Sequence, residues 1–133
     1  MTRRDAQTSA RTHDQVITAI SEGLVALLEE SYGRAPTRMK SYYEDDLVVC
    51  VHNGGFSRAE QTLLDGGHGS TVIQQRIEIQ QRKRDRLEAV IERATGRRVI
   101  AFMNGNQDDP EMMSEMFILA PTDLLDDQPT PAP

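Results

Sequence analysis

The sequence has no tryptophan, one cysteine and three histidines, and aromatic residues fill only 5% of its 133 positions. Each scarcity removes a class of chemistry. A lone thiol, Cys50, excludes an intramolecular disulfide and points to a reducing, cytosolic compartment. Three scattered histidines without Cys-x-x-Cys or His-x-x-x-His spacing offer no zinc site, and neither a metal nor another cofactor is expected. No apolar run approaches the ~18 residues of a membrane span, and the polar start from Met1 to Ser9 lacks the apolar core of a signal peptide. Membrane insertion is therefore not expected.

Positive charge is also short, with 15 Lys and Arg against 21 Asp and Glu, a net of -6. That balance opposes phosphate backbones and anionic lipid as bulk partners. The exception lies between Ser70 and Arg98, where eight basic residues face four acidic ones, a net of +4 that leaves -10 to the remainder. Such a segment is either a solvated helix face laced with ion pairs or a docking surface for an acidic partner. No aromatic residue interleaves with it, so nucleic acid is not an expected partner.

What is present is enough for one domain, since a chain of this length buries roughly 68% of its unfolded surface. Residues 1–13 are polar and aperiodic, and residues 122–133 are acidic and proline-rich, so both read as tails around a domain at 14–121. Val16, Ile17, Ile20, Leu24, Leu27 and Leu28 recur at helical spacing, predicting an amphipathic helix over about 14–32 that stops at Gly33. Thr37 to Tyr43 and Leu47 to His52, split by the acidic turn Glu44-Asp45-Asp46, predict a β-hairpin. Both faces of Leu47 to Val51 are apolar, so the sheet is expected to be covered on both sides.

Ser57 and Glu60 have the spacing of a capping box and open a short helix that ends near Asp65. Ser70 caps a longer one, with Ile73, Ile77, Gln80, Arg84, Leu87, Ile91 and Ala94 along one stripe until Gly96. At ~1.5 Å per residue it would run ~39 Å, longer than a small sheet needs, which suggests pairing with a second copy. Arg97 to Met103, the turn-rich stretch Asn104 to Pro110, and Met112 to Leu119 predict a second hairpin. The whole reads as α+β in the order αββ-ααββ: a four-stranded antiparallel sheet with three helices, one long, and a homodimer through that helix or the second sheet face.

Candidate sites are few. Cys50 and His52 share one face of a strand, as a catalytic dyad would, but the apolar neighbours of Cys50 favour an inert thiol and no catalytic residue is assigned. The acidic turns Glu44-Asp45-Asp46 and Asp108-Asp109 would form a cation site only if the hairpin tips met. The link from Asp65 to Ser70, with His68 and Ser70 at a helix start, offers free backbone N–H groups to an anion but lacks a P-loop ending.

Four pieces in order then carry a resemblance: Tyr32-Gly33-Arg34-Ala35-Pro36-Thr37, Asp45 to Val49, Thr95-Gly96-Arg97-Arg98-Val99-Ile100-Ala101-Phe102, and Asp108-Asp109-Pro110 followed by Glu115 to Leu119. Together they resemble the MpsC-like family of small bacterial proteins, over about 14–121. The family takes its label from the third component of a cation-translocating, membrane-potential-generating system. The resemblance implies a non-enzymatic accessory protein beside a proton- or sodium-conducting membrane subunit, cytoplasmic and peripheral, in systems tied to inorganic-carbon uptake. It carries no established ligand residues to this chain. Arg34, Arg97 and Arg98, polar residues after the two helix-ending glycines, are the expected partner-binding positions, with His68 and Ser70 as candidates for a small anion. The alternative to an accessory subunit is a small-ligand or anion-binding sensor.

Overall fold

The computed structural model describes residues 12–108 and 110–121. Helix α1 spans His13–Tyr32, strands β1 and β2 span Arg38–Glu44 and Leu47–Asn53, and helix α2 spans Arg58–Asp65. Helices α3 and α4 follow at Gly69–Arg82 and Arg84–Thr95, then strands β3 and β4 at Val99–Asp108 and Glu111–Leu119. The expected tails lie outside the described residues except at Thr12 and His13, which open α1.

Local chemistry explains most boundaries. Thr12 caps α1 by accepting from the Gln15 backbone while Gln15 answers through its side chain, and Ser57 and Glu60 do the same for α2. Gly33 and Gly96 end α1 and α4 in the left-handed region, at φ 82° and 72°, where a Cβ is costly.

Among the described residues there are four helices rather than three, because the long helix breaks at Lys83, whose φ of -101° and ψ of 14° lie outside the helical basin. The break lets α4 pack on α1 while α3 turns over β3, which one straight rod could not do. On α4, Leu87, Ile91 and Ala94 face inward against Ile20, Leu24 and Leu27 of α1. The two helices run antiparallel, from Glu30 beside Arg86 at one end to Ala19 and Ala94 at the other. They approach closely at Gly23, where a Cβ would lie 2.6 Å from Val90 Cγ1.

The sheet order is β1-β2-β4-β3, with every neighbouring pair antiparallel. Each hairpin keeps its own pair, and β2 joins β4 across the middle, so the two αββ units are arranged about an approximate two-fold axis. β3 runs on to Asp108, beyond the expected end at Met103. The stretch from Asn104 to Asp108 has poor strand propensity, and its ladder to Glu111 through Glu115 overrides that.

The helices cover one face only. Val48, Cys50 and His52 of β2 and Met113, Glu115, Phe117 and Leu119 of β4 point into the core beneath them. The alternating residues point the other way, onto a face no described helix covers, contrary to the expectation of a sheet covered on both sides. On it, Tyr42 is 51% exposed, Met103 51% and Met112 42%, with Val49, Val51, Met116 and Ile118 partly exposed between them.

Candidate functional site

The helix-covered face holds a polar cluster in an otherwise apolar interior. Period-two alternation places His52 and Glu115 inward on the adjoining strands β2 and β4, 2% and 0% exposed. His52 Nε2 lies 3.0 and 2.8 Å from the two carboxylate oxygens of Glu115. From above, Gln80 of α3 donates to the same carboxylate at 2.9 Å and accepts from the Asn104 amide on β3. One acid therefore ties three elements, and Asn104 adds the fourth. His52 Nδ1 is buried with no hydrogen-bond partner among the described residues.

Beside this cluster lies Arg76, 2% exposed. Its guanidinium sits 3.9 Å from the Tyr32 ring centroid and 4.4 Å from that of Phe56. It donates to both carboxylate oxygens of Glu60, at 3.0 and 2.8 Å, and to the Gly55 carbonyl at 2.9 Å. A buried cation needs such pairing, and the fork geometry of arginine supplies it. Burial alone would raise the Glu60 carboxyl, but the hydrogen bonds from Arg76 and Ser57 outweigh it and hold it below the usual range. Burial pushes the nearby Tyr32 phenol up to about 12.

With Glu115 fully buried, this cluster fixes the positions of strands and helices, and a substrate has no approach to it. Sequence reading missed it. The signal was there: in Met113, Glu115, Phe117, Leu119 the acid occupies an inward slot, and Arg76 falls one turn from Ile73 and Gln80 on the apolar stripe.

The expected partner-binding residues are spread over the molecule. Arg34 is exposed at the exit of α1 and donates to the Phe56 carbonyl at 3.2 Å. Arg97 stands at the equivalent exit of α4 but is bound inward. It donates to the Tyr43 hydroxyl at 3.1 Å, the Asp45 carbonyl at 2.6 Å, the Ala120 carbonyl at 2.7 Å and the Asp46 carboxylate. It fastens the β1-β2 turn to the end of β4, while Arg34 lies at the other end of that hairpin. Arg98 is exposed beside it. His68 and Ser70 are exposed at the start of α3, where the His68 side chain caps nothing. No hydrogen bond or ion pair joins any two of these five residues among those described.

The other candidates separate too. Pairing Leu47 with Ile118 and His52 with Met113 puts the β1-β2 turn at one end of the sheet and the β3-β4 turn at the other. The acidic turns therefore do not meet, and Asp109 lies outside the described residues. Cys50 is buried against Ser41, and its thiol is pushed up to about 12 by that burial. Of the basic segment's eight bases, four form ion pairs, Arg76 with Glu60, Arg84 with Glu88, Arg86 with Glu30 and Arg97 with Asp46, so about half of its positive charge is compensated.

A family model described as the Na+-translocating membrane potential-generating system (MpsC) matches residues 12–120. The chain belongs to the MpsC family. No curated protein and no solved structure matches it. The matched span runs from the Thr12 cap to Ala120, whose carbonyl receives Arg97, so the MpsC family unit coincides with the packed αββ pair. Among the described residues of this MpsC family member, no helix is long and apolar enough to cross a membrane.

Proposed function

We propose that this MpsC family member is a soluble, non-enzymatic accessory or regulatory subunit of a cation-translocating, membrane-potential-generating system, of the kind tied to inorganic-carbon uptake. It would work as a homodimer on the cytoplasmic side, held to the membrane through protein partners. The family match carries this reading. Its non-enzymatic part draws on the fate of the sequence's one thiol, since Cys50 is buried with a raised pKa. Exposed Arg34 and Arg98 are the docking positions, because Arg97 is spent on internal bonds.

The test is crosslinking in native cells, followed by identification of what the tagged chain retains from the membrane fraction. A multi-spanning cation-translocating subunit should be recovered, and its yield should fall with Arg34→Glu and Arg98→Glu. Recovery of the chain without any such subunit would overturn the reading.

A further inference from the structure

The uncovered face of the sheet can be laid out from its register. Across the four strands, Glu44, Leu47, Ile118 and Ala101 form one row, and Tyr42, Val49, Met116 and Met103 the next. Lys40, Val51, Ser114 and Gly105 form the third, and Arg38 beside Asn53 begins the fourth. The middle is apolar. The charges lie on the β1 edge, with the acid Glu44 at one end and the bases Lys40 and Arg38 at the other. Gly105 has no side chain and leaves a shallow hollow of about 320 Å³, bordered by Val51, Gln107, Met112 and Ser114.

We propose that this face is the homodimer interface, two copies stacking sheet on sheet about a two-fold axis that lies between the second and third rows, perpendicular to the strands. The proposal rests on the homodimer reading above and is independent of the membrane role. The half turn exchanges the first row with the fourth and the second with the third. Glu44 then faces the partner's Arg38, and Tyr42 faces the partner's Lys40. Met103 stands over the partner's Gly105, a long flexible side chain above a hollow. Both halves of each contact come from one surface, as an isologous interface requires. Within one chain Lys40 already sits 5.8 Å from the Tyr42 ring centroid, so the cation–π pairing needs no new chemistry.

The size is adequate. Four strands ~4.8 Å apart, each rising ~3.3 Å per residue over seven or more residues, make a face of roughly 20 by 25 Å. Two such faces cover on the order of 1,000 Å², and more once side-chain relief is counted, which is where specific interfaces begin. Left in water, one such face, roughly 500 Å² before side-chain relief, is the size of the largest patches monomers expose, which are often functional. Moving the axis onto the second row would set Glu44 against the partner's Lys40 but leave Arg38 without an acid, and moving it onto the third would set Lys40 against its own copy.

The test is sedimentation equilibrium of the full chain over a wide concentration range, with far-UV circular dichroism to check folding. The wild-type chain should be dimeric and Met116→Lys monomeric, with an unchanged spectrum. Glu44→Arg and Arg38→Glu should each weaken the dimer by about tenfold or more, and the double exchange should recover most of that loss, because like charges would face one another only in the single variants. A chain that is monomeric throughout would overturn the homodimer and this face together. A dimer indifferent to Met116→Lys would overturn the face alone. Loss of dimer in both single exchanges without recovery in the double would overturn the two-fold arrangement.

Discussion

His52 and Glu115 meet across the β2-β4 seam, the imidazole Nε2 at 3.0 and 2.8 Å from the two carboxylate oxygens, with neither side chain open to water. Removing one member of a buried pair strands the other, whereas replacing both by apolar groups of matching size removes the debt as well as the bond. His52→Leu should therefore cost about 3 kcal/mol or more of folding stability. The double variant His52→Leu with Glu115→Met should cost less than the single one. Urea unfolding checks this, and additive losses would show that the two residues do not act as a unit.

Arg76 carries a second prediction. Lysine keeps the charge but neither the fork to Glu60 nor the flat surface between Tyr32 and Phe56. Arg76→Lys should cost roughly 3–5 kcal/mol, the scale of a desolvated cation–π contact plus one charged hydrogen bond. The pair also sets an acid limit. The folded Glu60 carboxyl lies below its unfolded value, so the unfolded chain binds the proton first as pH falls. Its contribution is complete above the unfolded pKa and is lost as pH drops through the lower, folded one. Arg76→Leu should flatten the pH dependence of the melting temperature below about pH 5.

Much of the architecture is legible in the sequence because it is written locally. Ser57 with Glu60, and Gly33 and Gly96 after their apolar stripes, mark helix ends through contacts within a few residues, and the αββ repeat follows from them. The break at Lys83 is not legible. Lysine is a good helix former, and only the need to set α3 over β3 and α4 over α1 decides the turn. The bare face misled for a related reason. Alternating apolar residues on both sides of β2 say that both faces avoid water, but not whether helices or something else covers them. Glu115 and Arg76 were legible as inward positions, yet charged residues are so seldom buried that their identity argued against their place.

Close packing of α1 on α4 gives a third expectation. A methyl group at position 23 would overlap Val90, so Gly23→Ala should destabilise by about 1–3 kcal/mol despite the better helix propensity of alanine. Gly23→Ala with Val90→Ala should recover part of the loss. If Gly23→Ala alone stabilises the protein in thermal unfolding, the close approach is not a constraint.

The Cys50 thiol furnishes a fourth. Burial pushes it up to about 12, and no reagent reaches it in the folded chain. Alkylation at pH 8 should be at least about 100-fold slower in the native protein than in urea, since the thiolate is the reacting species. Comparable rates would place the thiol in contact with solvent.

The strand order has a consequence for how the chain is made. β4 is the last described strand to leave the ribosome, yet it lies in the interior of the sheet, between β2 and β3. Until it arrives, β2 shows water an unpaired edge with His52 on it, and β3 has no neighbour at all. The nascent protein therefore waits for β4 with one edge of β2 and both edges of β3 unpaired, and the interval before β4 emerges is when it is most exposed to pairing with the wrong chain.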